Sequence, residues 1–140
     1  MSVEIKPYQS YSAGEIIPLY AAVGWTSYTA SPEMLAEAYQ NSLQVFGAYD
    51  GEKLVGIIRA VGDGASIVFV QDLIVMPEYQ RRGIGARLLK TLMEQYADVY
   101  QFELLTDDTP KTTAFYEALG FSRADRLGCR AYIKMKTPAE

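Results

Sequence analysis

The chain has 140 residues, enough for one domain (1–140) with a substantial core and too few for two ordinary ones. Its residues are 49% apolar and 21% charged, with a formal net charge of −4, which excludes a broad basic nucleic-acid surface. One cysteine, Cys129, and no histidine exclude an internal disulfide, a cysteine- or histidine-built metal site and a histidine base, so no metal is expected.

In chain order, Val3 to Lys6 alternates and predicts a short strand. Tyr11 to Val23 carries helical spacing in Ile16, Leu19, Tyr20 and Val23, with Gly24 as a C-terminal stop. Pro18 inside it marks either the first turn of a shorter helix or a kink in a longer one. Gly24 to Thr29 reads as a loop with two large aromatics, Trp25 and Tyr28. Ser31-Pro32 is a helix start, and Met34, Leu35, Ala38 and Tyr39 give that helix an apolar face. A meander follows: Val45–Tyr49 and Leu54–Val61 joined through Asp50-Gly51, then Ile67–Met76 joined through Asp63-Gly64. The last of these runs is apolar but for Gln71 and Asp72, and reads as a strand buried on both faces.

Pro77 ends that strand, and Gln80-Arg81-Arg82-Gly83-Ile84-Gly85 leads into a helix whose Ile84, Leu88, Leu92 and Tyr96 recur every fourth residue. Tyr100–Leu105 is then a strand. Thr109-Pro110 caps a helix with Thr112, Phe115, Tyr116 and Leu119 on one stripe and Gly120 at its end. Phe121–Arg126 and Arg130–Met135 predict a closing hairpin. The fold class expected is α/β: a mixed, mostly antiparallel central sheet with helices on both faces.

A buried strand feeding a glycine loop and a helix is an anion site. The first amides of a helix have no internal acceptor, and its dipole places partial positive charge there. Gly83 and Gly85 leave the backbone bare for a phosphate, and Arg81 and Arg82 add full charges. The loop lacks the Gly-Lys-Ser/Thr of a P-loop. It also lacks the third glycine of the dinucleotide pattern, since Leu88 stands there.

The pattern that fits is Arg/Gln-x-x-Gly-x-Gly/Ala. With its Val-Met-Pro-Glu-Tyr lead-in, the stretch closely resembles the pyrophosphate loop of the GNAT superfamily of N-acetyltransferases. Ala114 to Phe121 (AFYEALGF) resembles that family's late segment, and the element order matches its fold, so the resemblance covers nearly the whole chain.

The resemblance implies acetyl-CoA as cosubstrate. Its pantetheine arm would pair with the main chain of Leu73, Ile74 and Val75, and its pyrophosphate would sit on the amides of Arg81, Arg82, Gly83, Ile84, Gly85 and Ala86. A backbone amide near Ile74 would hold the oxyanion, and Tyr116 would hydrogen-bond the departing thiolate. Thr109 stands where the family often has an Asn that contacts the CoA arm, and it is also a natural helix cap. Some relatives carry a glutamate base where this chain has Gln71. The carboxylates left nearby are Asp72, a candidate base or a buried paired group, and Glu103 on the following strand. The acceptor would meet Trp25, Tyr28 and Tyr132, aromatics that stack on an aromatic or cationic amine or that serve as core.

Two functions are thus expected. The first is acetyl-CoA-dependent N-acetylation of a primary amine, of a small molecule or peptide, by direct attack on the thioester. The alternative is a non-catalytic CoA- or acyl-CoA-binding sensor or partner subunit of the same fold. No apolar run reaches membrane-span length and no signal pattern opens the chain, so a cytoplasmic location is expected, with an amine acceptor, no nucleic-acid or membrane partner, and a homodimer compatible with the reading.

Overall fold

The computed structural model describes residues 2–136, which fall into two compact units, one ending at Leu105 and one beginning at Thr106. The first unit is a five-stranded sheet in the order β1 (Val3–Pro7), β2 (Gln44–Asp50), β3 (Lys53–Gly62), β4 (Ile67–Val75), β5 (Gln101–Leu104). The first four strands are antiparallel, and β5 runs parallel to β4. This is the mixed, mostly antiparallel sheet that the sequence predicts.

Helices cover both faces. Side chains alternate along a strand, so Gly56 and Ile57 of β3 face opposite ways. A Cβ on Gly56 would stand 3.4 Å from Leu88 of α4 (Ile84–Gln95). Ile57 instead joins Ile16, Leu19 and Tyr20 of α1 (Ala13–Ala22) and Leu35 and Tyr39 of α3 (Pro32–Gln40) in one apolar cluster. Pro18 lies in the interior of α1. It neither opens nor ends the helix, and its missing amide leaves one carbonyl, that of Gly14, without its usual partner.

The structure departs from the sequence expectation at three places. Residues expected as a loop after Gly24 include a one-turn helix, α2 (Thr26–Thr29), entered through Trp25. The Asp63-Gly64 connection is not a two-residue turn. Four residues separate β3 from β4, because the Asp63 carboxylate accepts the amides of Ala65, Ser66 and Ile67 and closes a wider loop. Strand β4 is not buried on both faces. Val68, Val70, Asp72 and Ile74 are buried, Gln71 is exposed and the rest are half-covered. Its pairing with β5 spans only Ile67–Val70, so its second half has an open edge.

The register of β4 shifts by one at its centre. Arg59 pairs with Asp72 but Ala60 pairs with Val70, so Gln71 is an extra residue opposite that step. Val70 and Asp72 therefore lie on opposite faces. The buried row of β4 passes from the side of α4 to the side of α1 and α3 at Gln71.

The second unit holds α5 (Pro110–Ala118), capped by Thr109, whose side chain accepts the Thr112 amide. Phe115, Tyr116 and Phe121 pack edge to face, at 5.0 and 5.8 Å between ring centroids. The expected closing hairpin is absent among the described residues. Ala124–Leu127 forms a 3-10 turn, Gly128 turns left-handed at φ 78°, and the Cys129 amide donates back to Ala124. An Arg123–Asp125 ion pair braces that turn. Residues 130–136 have the alternation of a strand but no ladder partner. Alternation is a local property, whereas a strand exists only against an edge.

Candidate active site

The site is built around the second half of β4 and the loop after it. The parallel ladder between β4 and β5 ends at Val70 and Leu104, and residues 71–75 run on without a partner on that side. The register decides which groups face the opening. The Met76 amide donates to the Val55 carbonyl at 2.8 Å, which makes Val55–Met76 and, two residues on, Ile57–Ile74 hydrogen-bonded positions of the ladder. The Ile74 amide is therefore turned to β3. The amides of Leu73 and Val75 point to the open side, where the Val75 carbonyl already accepts Gln80 Nε2 at 2.9 Å. The oxyanion donor is expected near Ile74, and in this register the amides next to Ile74 that face the open side are those of Leu73 and Val75.

After β4 a 3-10 turn, Pro77–Tyr79, leads into the glycine loop. Tyr79 is anchored by its hydroxyl to Asp50, and the Arg82 guanidinium lies 5.3 Å from the Tyr79 ring centroid. Arg81 has a φ of 65°, the one positive value of a non-glycine residue among the described residues, and Gly83 has 77°. A left-handed non-glycine residue is strained, and such strain gathers at binding loops. Gly83 is the N-cap of α4. The first amide to find an internal acceptor is that of Arg87, at 3.0 Å from the Gly83 carbonyl. The amides of Ile84, Gly85 and Ala86 precede it and are presented at the helix end. Arg81, Arg82 and Gly83 are exposed, whereas Ile84 is buried and anchors the helix on the sheet. The loop is thus an open cradle of amides beside two cations, the arrangement that takes a phosphate.

On the other face lies a buried polar network. Asp72, 2% exposed, accepts hydrogen bonds at Oδ2 from Tyr20 Oη at 2.6 Å and from Arg59 Nε at 2.8 Å. Tyr20 and Tyr39 share a hydroxyl–hydroxyl bond of 2.9 Å, and Arg59 Nη1 reaches Ser42 Oγ at 3.3 Å. Burial, and then the neighbouring Tyr39 and Asp72, push the Tyr20 phenol far above its ordinary pKa, so it is a permanent donor. Of the two readings of Asp72, the geometry favours the buried, paired carboxylate, because the Oδ2 lone pairs are already engaged. Arg59 and Tyr20 were missed from sequence. A lone arginine inside the apolar run Leu54–Val61 was the available signal, since such a charge needs a buried partner.

Trp25 and Tyr28 lie over this network. Their rings stand 5.9 and 5.1 Å from that of Tyr20, and the Tyr28 hydroxyl accepts Gln71 Nε2 at 3.3 Å. Trp25 is 37% exposed and Tyr28 half-buried. Gln71, the extra residue of the bulge, and Asp72 next to it thus reach the same aromatic group. Glu103 is exposed on β5 and Tyr132 is exposed in the second unit. Within that unit Tyr116 is half-buried, and its phenol pKa is raised by burial and by Asp107. Thr109 acts as the cap of α5. Among the described residues no group of three carboxylates or cysteines is placed to hold a metal, and no helix is long and apolar enough to cross a membrane.

Comparison with known proteins agrees with this geometry. A family model described as an acetyltransferase (GNAT) domain matches residues 10–137. The solved structure of a GNAT-family acetyltransferase from Streptococcus pneumoniae TIGR4 superposes with a TM-score of 0.88 at 41% identity, covering 98% of this chain and 100% of that one. A chloroplastic GCN5-related N-acetyltransferase 2 of Arabidopsis thaliana is 35% identical over 88 residues, 58% of this chain and 33% of its own length. A glucosamine 6-phosphate N-acetyltransferase of Trypanosoma brucei brucei is 30% identical over 63 residues, 45% of this chain and 43% of its own length. The chain spans less than half the length of each of these two curated relatives.

Proposed function

The chain belongs to the GNAT family of acetyltransferases, and from that premise we propose that it is an N-acetyltransferase that moves the acetyl group of acetyl-CoA to a primary amine of a small molecule or peptide. The observation that carries the reading is the continuous path from the unpartnered edge of β4 to the amide cradle at the start of α4. The pantetheine arm pairs with the open-side groups of Leu73 and Val75 as a further strand would, and the pyrophosphate sits on the amides of residues 81–86. The amine attacks the thioester carbonyl directly. The carbonyl oxygen takes up the charge and is stabilised by an amide of the β4 edge, that of Leu73 in the register described. Collapse of this intermediate breaks the carbon–sulfur bond.

Tyr116 is the donor assigned to the departing thiolate. Its raised pKa keeps it protonated at neutral pH, so it acts by hydrogen bonding rather than by full proton transfer. Gln71 takes no proton, and Asp72 is engaged by Arg59 and Tyr20. The amine proton therefore leaves to solvent or through water to an exposed carboxylate such as Glu103, and activity rises with pH as the amine deprotonates.

Tyr116→Phe keeps the ring and removes the hydroxyl, and should lower kcat by roughly ten- to a thousand-fold with acetyl-CoA affinity unchanged. Steady-state kinetics over an amine panel, beside calorimetric titration with acetyl-CoA, checks this. Wild-type kcat in the Phe variant would remove Tyr116 from the mechanism. Acetyl-CoA binding without CoA release for any amine would favour the sensor reading, to which the neutral Gln71 already points.

A further inference from the structure

We propose that the buried Arg59–Asp72–Tyr20 network is a positioning device that fixes the Trp25/Tyr28 wall against the donor strand β4. This deepens the reading above, and rests on it for the statement that the amine docks on that wall. Tyr20 is fully buried, and its ring is the floor on which both Trp25 and Tyr28 rest. A ring on a floor slides unless the floor is fixed. Here the Tyr20 hydroxyl is held at its far end by Asp72 at 2.6 Å and by Tyr39 at 2.9 Å. Asp72 is itself held across the ladder by Arg59 of β3. The chain of contacts runs from the sheet, through one carboxylate and one phenol, to the aromatic wall.

The second tie is made by the preceding residue. Gln71, exposed at the bulge, donates to the Tyr28 hydroxyl. In a regular strand two consecutive residues face opposite sides; the extra residue at Gln71 is what lets both it and Asp72 address one aromatic cluster. The same strand continues into Leu73–Val75, whose open edge is assigned to the acetyl donor. Two consecutive residues of β4 therefore set the acceptor wall in register with the donor. The bland alternative is a network that serves stability alone. It explains the Arg59–Asp72 pair, but not why the phenol beneath the wall is the third member.

The two are separated by a readout of the wall itself. Trp25 is the single tryptophan of the chain, so intrinsic fluorescence reports on the wall directly. Tyr20→Phe keeps the floor ring and leaves the Arg59–Asp72 pair, removing only the hydroxyl tie. Below the melting temperature of the full chain, this variant should show Trp25 emission shifted to the red and more readily quenched by acrylamide. Its amine KM should rise about tenfold while kcat and acetyl-CoA affinity change by less than about twofold. Gln71→Met, at an exposed position, removes the second tie without threatening folding. It should shift Trp25 quenching in the same direction by less, and it carries the test if Tyr20→Phe does not fold.

Unchanged Trp25 fluorescence in the folded variants overturns the proposal, whatever happens to the melting temperature. Changed fluorescence with an unchanged amine KM also overturns it, because the wall is then tied but does not hold the acceptor. If the wild type turns over no amine, the enzymatic reading fails by itself, and the fluorescence comparison still decides whether the network holds the wall.

Discussion

Two arginine sites of this molecule stand in contrast. Arg59 is 4% exposed and makes a 2.8 Å ion pair with Asp72 inside the core. Arg81 and Arg82 are exposed on a loop that presents helix amides to solvent. Both sites combine positive charge with nearby hydrogen-bond donors. In the first, the counter-charge is covalently part of the fold, and the site is closed. In the second the guanidinium groups reach the surface, and the helix amides beside them are left open to solvent. Whether a charge serves the fold or borders a binding loop depends here on burial: Arg59 lies inside the core, Arg81 and Arg82 at the surface.

The largest effect should come from breaking the closed site. Arg59→Met strands a buried carboxylate and should cost about 3–5 kcal/mol in urea denaturation. Pairing it with Asp72→Leu should bring stability closer to wild type, since two apolar groups leave no unpaired charge. A single variant as stable as the wild type would show that Asp72 does not depend on Arg59.

The open site should respond in ligand affinity instead. Asn is among the side chains least strained at the left-handed φ of 77° of Gly83, and a Cβ there meets no atom within 4 Å, so Gly83→Asn should remain folded with only a small drop in melting temperature. Its side chain crowds the anion, and acetyl-CoA should bind at least about tenfold more weakly in calorimetry, the loss of one charge-assisted hydrogen bond. Equal affinity would remove the phosphate from this loop.

The smallest effect concerns a polar atom that the closed site leaves out. The Tyr11 hydroxyl is buried without a hydrogen-bond partner among the described residues, while its ring packs 5.2 Å from that of Tyr39. Tyr11→Phe should raise stability by about 1 kcal/mol, because no bond is lost and an unsatisfied group is removed. A lowered melting temperature would mean that the hydroxyl is solvated in the native protein.

Much of the open site was legible in the sequence, because its chemistry is local. Gly83, Gly85 and two arginines are adjacent in the chain, and a strand, a turn and a helix start are each readable from a few neighbouring residues. The order of strands β1 to β5 and the antiparallel meander followed from apolar periodicity and from Asp50-Gly51, whose tight turn is present with Gly51 at φ 63°. The closed site was not legible. Tyr20, Tyr39, Arg59 and Asp72 come from two helices and two strands, and nothing in a window of residues records that they meet. The bulge at Gln71 was equally hidden, since a register shift is a relation between strands. It decided that the Leu73 amide rather than that of Ile74 faces the opening, and that two consecutive side chains reach one aromatic wall. The hairpin expected over Phe121–Met135 failed for the same reason. Alternation gives a segment the capacity to be a strand, and only a free edge in the right place makes it one. Sequence by itself determined those features whose causes lie within one turn or one strand; long-range pairing, which costs chain entropy and is repaid only by specific partners, was decided by the tertiary structure.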